Sequence, residues 1–551
     1  MNQREAPTHA TATSSAWSPL KISMFRALWI ATLVSNIGTW MHDIGAGWLM
    51  TSLSDSSVMV ALIQTATTLP VFLLALPAGA LSDILDRRHY LIFFQSFMAV
   101  IAVLLTLVVI AGIITPWTLL ILTFAMGIGS AMMRPTWAAI VPEMVPRKEL
   151  QAAIALNSMG MNVARAIGPA LAGVIVVFAG TGAVFALNAL SFFGVILVLV
   201  RWKREVTESP LPAERLMGAM RVGWRFARFS PELQAASIRG LGFFLFASAS
   251  WALLPLIARN LTNGGPEAFG ILVAAVGVGA VLGALVLPTL NERLSRSTLV
   301  TIATLLYAAC LAGITLTDRL LPLSLVMGLS GVAWLVVLSS LQVAAQMALP
   351  SWVRSRGLAV FMSVFMGSMA LGSIVWGQLA DTLNIEQSLL IAAAGAVISI
   401  PLTWRWRIDG VEELDFTPSM HWPTPPVNET LDQDRGPVLT TIEYRVRDDA
   451  VSSFLECMKR LEQYRRQHGA FAWSLFEHTE ESRYFIETFN DESWLDHLRQ
   501  HERVTEEVKK LQEEIRTYLA EDSQPRVVHY LAPERSNYRT TTNTGGKEQK
   551  E

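Results

Sequence analysis

Asn36, Thr39 and Asp43 recur at helical spacing inside one long apolar run, with His42 next to the last of them. An ionisable group deep in such a run is costly to keep and is a functional candidate by default. Asp43 is expected to be an exchangeable proton site, because its protonation would respond to hydration and to a cation nearby. His42 points about 100° around the helix from it and could tune that site or shuttle a proton. Two cations fall in comparable runs: Arg134, eight residues before Pro142, and Arg165, about one turn beyond Asn162. Arg134 is expected to meet an anionic substrate or Asp43, and Arg165 to be paired or to face a water-filled cavity. Asn36, Thr39, Asn162 and Gln342 complete the polar set expected to line that cavity, and Asn188, Gln346 and Gln378 could add hydrogen bonds. Each of these residues also has a plainer reading as a polar contact between helices.

The elements that must position these groups are about twelve apolar segments of roughly 20 residues, the length needed to cross the hydrocarbon core. They fall at 25–52, 58–82, 90–113, 117–141, 153–178, 182–202, 236–260, 267–289, 297–317, 321–345, 357–381 and 387–404. Charge divides the chain sharply. Residues 1–410 hold 25 Lys+Arg against 17 Asp+Glu, and residues 411–551 hold 18 against 28. A membrane body with a soluble appendage fits this division, and an ordinary soluble protein does not. The expected organisation is a cytoplasmic tail (1–23), a first six-helix bundle (24–202), a basic linker (203–235), a second six-helix bundle (236–404), a Pro-rich acidic linker (405–437), a soluble α+β domain (438–533) and a disordered tail (534–551).

Cations collect at alternate loops, with Arg87/Arg88, Arg147/Lys148, Arg293/Arg296 and Arg354/Arg356, and eight more between Arg201 and Arg239. The loops between them hold almost none, Arg259 and Arg319 excepted. The positive-inside rule therefore places both termini in the cytoplasm of a cell bounded by this inner, plasma membrane. Shifting the first half by 204 residues lays Gly79 on Gly283, Gly127 on Gly331, Gly168 on Gly372 and Gly173 on Gly377. Two parallel six-helix halves are one architecture used for alternating access.

The loop after the second segment reads Gly79-Ala-Leu-Ser-Asp83-Ile-Leu-Asp86-Arg87-Arg88. It resembles the signature of the major facilitator superfamily at Gly79, Asp83, Arg87 and Arg88, and departs from it at Ile84 and Asp86. The resemblance implies a conformational latch here, with the small residue permitting close backbone approach. The fifth segment, with Gly168-Pro169 and Ala172-Gly173, resembles the antiporter motif of the same superfamily, with alanine at positions such as Ala155 and Ala164. Its smooth face is expected to press on a neighbouring helix and seal one side of the cavity. Residues 20–405 as a whole resemble the branch that contains the enterobactin exporter, which implies export.

The appendage alternates as a strand (438–447), a helix from Asp448 to about His468 stopped by Gly469, a hairpin (471–478 and 483–490), a long charged helix (491–519) and a last strand (526–531). That order is the ferredoxin-like one. It resembles the antibiotic-biosynthesis monooxygenase-like domains, with Ser493-Trp494-Leu-Asp-His497-Leu-Arg-Gln-His501 matching their helix and His501 their characteristic histidine. No Cys/His metal set, phosphate loop or nucleophile–base pair is visible. Cys310 and Cys457 read as isolated thiols. No cofactor and no enzymatic role are expected, and a pairing or ligand-sensing role for 438–533 is. The partners expected are the lipid bilayer, protons, a small-molecule cargo and a second copy through 438–533; no nucleic-acid site is visible. The leading expectation is a proton-coupled exporter of a small amphipathic or siderophore-like molecule. An importer, or a transporter fused to a domain that modifies its cargo, are the alternatives.

Overall fold

The computed structural model describes residues 17–146, 149–203, 216–262, 264–350, 352–409, 417, 419, 421–422, 435–521 and 523–533, and not the side chains of 83, 84, 216–219 and 502. The expectations for residues 1–16, Arg147/Lys148, the Asp83 side chain, most of 405–437 and the tail 534–551 lie outside these. Two compact units make up the chain. One comprises Met1–Leu216, Ala235–Ala344 and Leu358–Asp409, and the other Met217–Gln234, Ala345–Gly357 and Gly410–Glu551.

The first unit is helical throughout. Its helices are α1 (Ser23–Leu53), α2 (Ser57–Ile84), α3 (Arg87–Ile110), α4 (Pro116–Met144) and α5 (Leu150–Arg201), then, after α6 (Leu216–Phe229), which belongs to the other unit, α7 (Pro231–Leu256), α8 (Pro266–Arg293), α9 (Arg296–Ile314), α10 (Leu320–Met347), α11 (Arg354–Thr382) and α12 (Ile385–Thr403). Among the described residues, ten helices are long and apolar enough to cross a membrane by length and composition. The 52-residue α5 is broken at Gly180, whose φ of 76° and ψ of 170° are far from helical and favour a residue without a Cβ. The outward faces carry large apolar side chains, among them Phe93, Ile110, Phe178, Leu285 and Leu321. An aqueous surface would not tolerate so continuous an apolar coat.

The internal repeat appears as contacts. A Cβ built on Gly127 of α4 would collide with Ala66 O of α2, and one on Gly331 of α10 with Val276 O of α8. Gly168 of α5 lies against Ile37 and Trp40 of α1, as Gly372 of α11 lies against Leu245 and Ser248 of α7. Gly173 of α5 meets Pro266 and Glu267 at the start of α8, and Gly377 of α11 meets Ser57, Val58 and Ala61 at the start of α2. These three pairs keep their helix partners under a shift of six helices. The fourth does not: Gly283 meets Val332, whereas a Cβ on Gly79 would enter open space.

The second unit contains a four-stranded antiparallel sheet of β1 (Val438–Arg445), β2 (Phe471–Glu477), β3 (Tyr484–Asp491) and β4 (Arg526–Leu531) in the order β2-β3-β1-β4. With α13 (Val451–Gln467) between β1 and β2, and α14 (Trp494–Arg503) and α15 (Glu506–Thr517) between β3 and β4, the connectivity is the split β-α-β arrangement expected. One face is covered by helices through Tyr444, Phe454, Met458, Phe485, Phe489 and Leu511. Gly469 ends α13 at φ 117°. The single helix expected over 491–519 is instead two. Val504 and Thr505 are extended between α14 and α15, and the connecting segment supplies the backbone partners at the break, Ser419 N–H to Val504 O and Glu506 N–H to Thr417 O. The expected linker 203–235 contains α6. Arg225 on that helix donates to Gly469 O at 2.6 Å and to Glu492 at 3.0 Å, and Arg221 also pairs with Glu492.

Candidate transport site

Asp43 lies in the C-terminal half of α1, partly exposed, and Arg134 is on α4. The two charges interact electrostatically. Arg134 is exposed. Arg165 lies over the Trp40 ring, 5.6 Å from its centroid, a geometry in which the ring quadrupole attracts the guanidinium. Asn36, Thr39, Arg165 and Gln342 are partly exposed and Asn162 is exposed. Thr39 also satisfies its hydroxyl on Ser35 O at 3.0 Å.

His42 takes another direction. It is 2% exposed and sits edge-on to Phe185 of α5 at 4.9 Å between ring centroids, with neither ring nitrogen hydrogen-bonded. One turn away, Asn188 is fully buried against Gly38, its amide also without a hydrogen bond. The sequence pairing of His42 with Asp43 therefore becomes two separate environments, Asp43 partly exposed and His42 in the α1–α5 interface.

Above Asp43 the two halves meet. Gly270 of α8 faces Pro169 O and the Gly173 backbone, and Gly277 faces the backbone of Arg165 and Ala166. The smooth face of the fifth segment thus presses on α8, as its small residues predict. On the opposite side of the same end, Asp381 of α11 accepts from the Ser56 hydroxyl at 2.7 Å and from Val58 N–H at 3.4 Å. Thr65 of α2 donates to Ala370 O at 3.2 Å. Arg259, an exception to the loop charge pattern, sits on the π-helical turn Ile257–Leu261 and donates to Thr51 O. A cation there satisfies a helix-end carbonyl of α1.

The latch residues behave differently from the expectation at one point. Gly79 permits no close approach here, since open space surrounds it. Arg87 bonds Glu143 of α4 at 2.7 Å, and Arg88 bonds Leu199 O at 3.0 Å and Val200 O at 2.6 Å. Asp86, the departure from the signature, caps α3 by accepting from His89 N–H at 2.9 Å. Its carboxylate serves the helix start that a glycine would leave open. Sequence reasoning missed Trp40 and Asp381. Trp40 lies three residues from Ile37, one turn along the face that meets Gly168, which is the signal that was available.

The chain as a whole is similar to known transporters. The chain is 24% identical over 362 residues to the staphyloferrin A transporter of Staphylococcus aureus, covering 66% of this chain and 90% of that one. It is 24% identical to the multidrug efflux pump Tap of Mycolicibacterium fortuitum, covering 69% and 93%, and 24% identical to the enterobactin exporter EntS of Shigella boydii, covering 47% and 62%. Among solved structures it resembles a bacterial homologue of the human lysosomal transporter Spinster in an inward-facing, unoccupied conformation. The TM-score is 0.56 at 14% identity, over 72% of this chain and 97% of that one, and the likeness is one of fold. The transmembrane secretion effector family matches residues 14–537. The chain therefore belongs to that family of major facilitator transporters and is a multi-pass membrane transporter.

Proposed function

We propose that this transporter exports a small polar molecule of the siderophore or drug type in exchange for protons, by alternating access. The observation that supports this reading is the electrostatic interaction of Asp43 with Arg134, together with the close contacts of α5 with α8 and of α11 with α2. A cargo with a hydroxyl or ammonium donor beside an anionic group would bridge the two charges, donating to Asp43 and accepting from Arg134. Protonation of Asp43 neutralises its charge and turns one oxygen into a donor, so proton and cargo compete for it, which is the requirement for exchange. Separating the halves at Gly173–Pro266 and Gly377–Ala61 would open the sealed end and let cargo leave as the proton enters. The names of the staphyloferrin A and enterobactin relatives support a siderophore-like cargo.

Twelve crossings are the reading that fits this mechanism, with α5 counted on both sides of Gly180 and the 31-residue α1 added to the ten apolar helices. In this reading both termini are cytoplasmic, and the open side faces the cytoplasm of the cell whose plasma membrane holds the protein. The test uses energised inverted vesicles. Adding cargo should release lumenal protons in the parent, and Asp43→Asn should abolish the response while leaving the protein in the membrane. Proton release that survives Asp43→Asn would end the assignment.

A further inference from the structure

The C-terminal unit brings together three imidazoles that transport does not use. His497 and His501 stand one turn apart on α14, and His529 comes from β4, with one ring nitrogen of each within 4.8 Å of the others. We propose that His497, His501 and His529 bind one divalent transition-metal ion of the zinc type, with a fourth coordination position left open.

Geometry carries the proposal. His497 Nε2 and His501 Nε2 are 3.3 Å apart. Two nitrogens bound to one tetrahedral ion at about 2.05 Å lie about 3.3 Å from each other. The other nitrogen of His497, Nδ1, bonds Asp491 Oδ2 at 2.8 Å, and Asp491 Oδ1 accepts from Gln500 at 2.6 Å. With a proton on Nδ1 facing that carboxylate, the Nε2 lone pair points at the other two rings. A buried carboxylate that fixes the tautomer of a histidine in this way is the outer shell that metal-binding imidazoles require. His497 and Asp491 are 2% and 1% exposed, so the pair is built into the core and does not drift on the surface.

A separate observation points to a ligand at the same place. Thr440 pairs with His529 across β1 and β4, and its hydroxyl is buried with no hydrogen-bond partner. Directly paired residues share a face with side chains about 5 Å apart. A water held in the open fourth position would give that hydroxyl its partner. His529 brings the third nitrogen within 4.8 Å of the other two, so a small closure completes a trigonal set. Three imidazoles without a ligating carboxylate suit zinc, cobalt, nickel or copper, and not magnesium or calcium. The sequence hid the site because His529 lies 28 residues beyond His501 on a different element.

The full chain, purified in detergent with any affinity tag removed and stripped with chelator, is titrated with Co²⁺ as probe. The expected result is one ion per chain with visible absorption of tetrahedral intensity, displaced by Zn²⁺. His529→Ala and His501→Ala should each weaken binding at least tenfold, and Asp491→Asn about 10- to 100-fold. Absence of stoichiometric binding by the parent in excess Co²⁺ overturns the proposal, and leaves the His497–His501 contact as a plain N–H···N bond. So does binding that persists in the His501→Ala/His529→Ala double variant. The parent titration decides even if a variant fails to fold.

Discussion

A methyl group added at Gly173 tests whether the α5–α8 contact is a gate. A Cβ there would sit 2.9 Å from Pro266 O and 3.1 Å from Glu267 Cα, where ordinary contact begins at 3.4 Å. The helices must part by about 0.5 Å, and overpacking of this kind costs about 1–3 kcal/mol. That cost falls only on the state in which α5 touches α8, so the sealed-to-unsealed ratio should drop about 5- to 150-fold. Gly377→Ala, whose Cβ would lie 2.7 Å from Ala61 Cβ on the symmetric contact, should act in the same direction. The assay replaces Cys310 and Cys457 by Ser, adds Thr39→Cys in the cavity, and follows its labelling by a membrane-impermeant thiol reagent applied at the membrane face that carries residues 54–56. Labelling should accelerate by the same factor in both glycine variants and stay unchanged in Gly194→Ala, whose Cβ would meet open space. Unchanged labelling in folded Gly173→Ala, or equal acceleration in Gly194→Ala, would refute the gate.

Three further outcomes follow from named contacts. Arg134→Gln should weaken cargo affinity at least tenfold while leaving membrane insertion intact, as read by cargo binding to purified protein, since it removes the cation of the proposed bridge. Glu487 is fully buried and holds Arg465 at 3.0 Å, the Tyr444 hydroxyl at 2.8 Å and the Trp473 indole at 2.9 Å. Glu487→Ala leaves that guanidinium unpaired and should destabilise the C-terminal unit by about 3–5 kcal/mol, visible as an earlier tryptophan-fluorescence transition on heating. Burial, then the charges of Arg503 and Arg465, pushes His468 from 6.5 down to about 3. The unfolded chain takes up that proton near pH 6.5 and the folded unit only near 3. The unit's stability is therefore full above 6.5 and falls as the pH drops, by about 2 kcal/mol at pH 5. His468→Phe should flatten that part of the pH dependence, and an unchanged slope would show that the group is not the source.

The membrane helices were legible because hydrocarbon imposes one requirement on every segment, and the apolar runs expected at 25–52 or 267–289 differ from α1 and α8 by only a few residues at either end. The glycine repeat was legible because close backbone approach admits no other residue, and three of its four pairs make equivalent contacts. The Asp43–Arg134 pairing could be anticipated from depth alone, but the burial of His42 against Phe185 could not, since a helical period gives direction and not the neighbour found there. Asp381 escaped notice because it stands near the end of α11, where a carboxylate needs no special reason to exist. The break at Val504–Thr505 depends on Thr417 and Ser419, some 85 residues earlier in the chain, and no local propensity reports such partners. Gly79 was read as a contact residue from its motif, and the space around it shows that a motif fixes residue type without fixing the conformation in which the type is used.

The charge division of the sequence acquires a second meaning once α6 is seen. Its arginines belong to the cations that the positive-inside rule explains by topology alone. Two of them, Arg221 and Arg225, pair with Glu492 at the end of β3, and Arg221 and Arg225 together hold that carboxylate below its ordinary value. From the other side, Gln463 and Gln467 of α13 donate to Phe229 O, the last carbonyl of α6, at 3.1 Å and 2.8 Å. These bonds satisfy the helix end as a cap would. The basic segment that joins the two six-helix halves is thus folded into the acidic C-terminal unit. An ordinary loop would need its cations for orientation and nothing else. Here Arg221 and Arg225 also pair with a carboxylate of the acidic appendage, so cations that topology accounts for are used a second time inside the C-terminal unit.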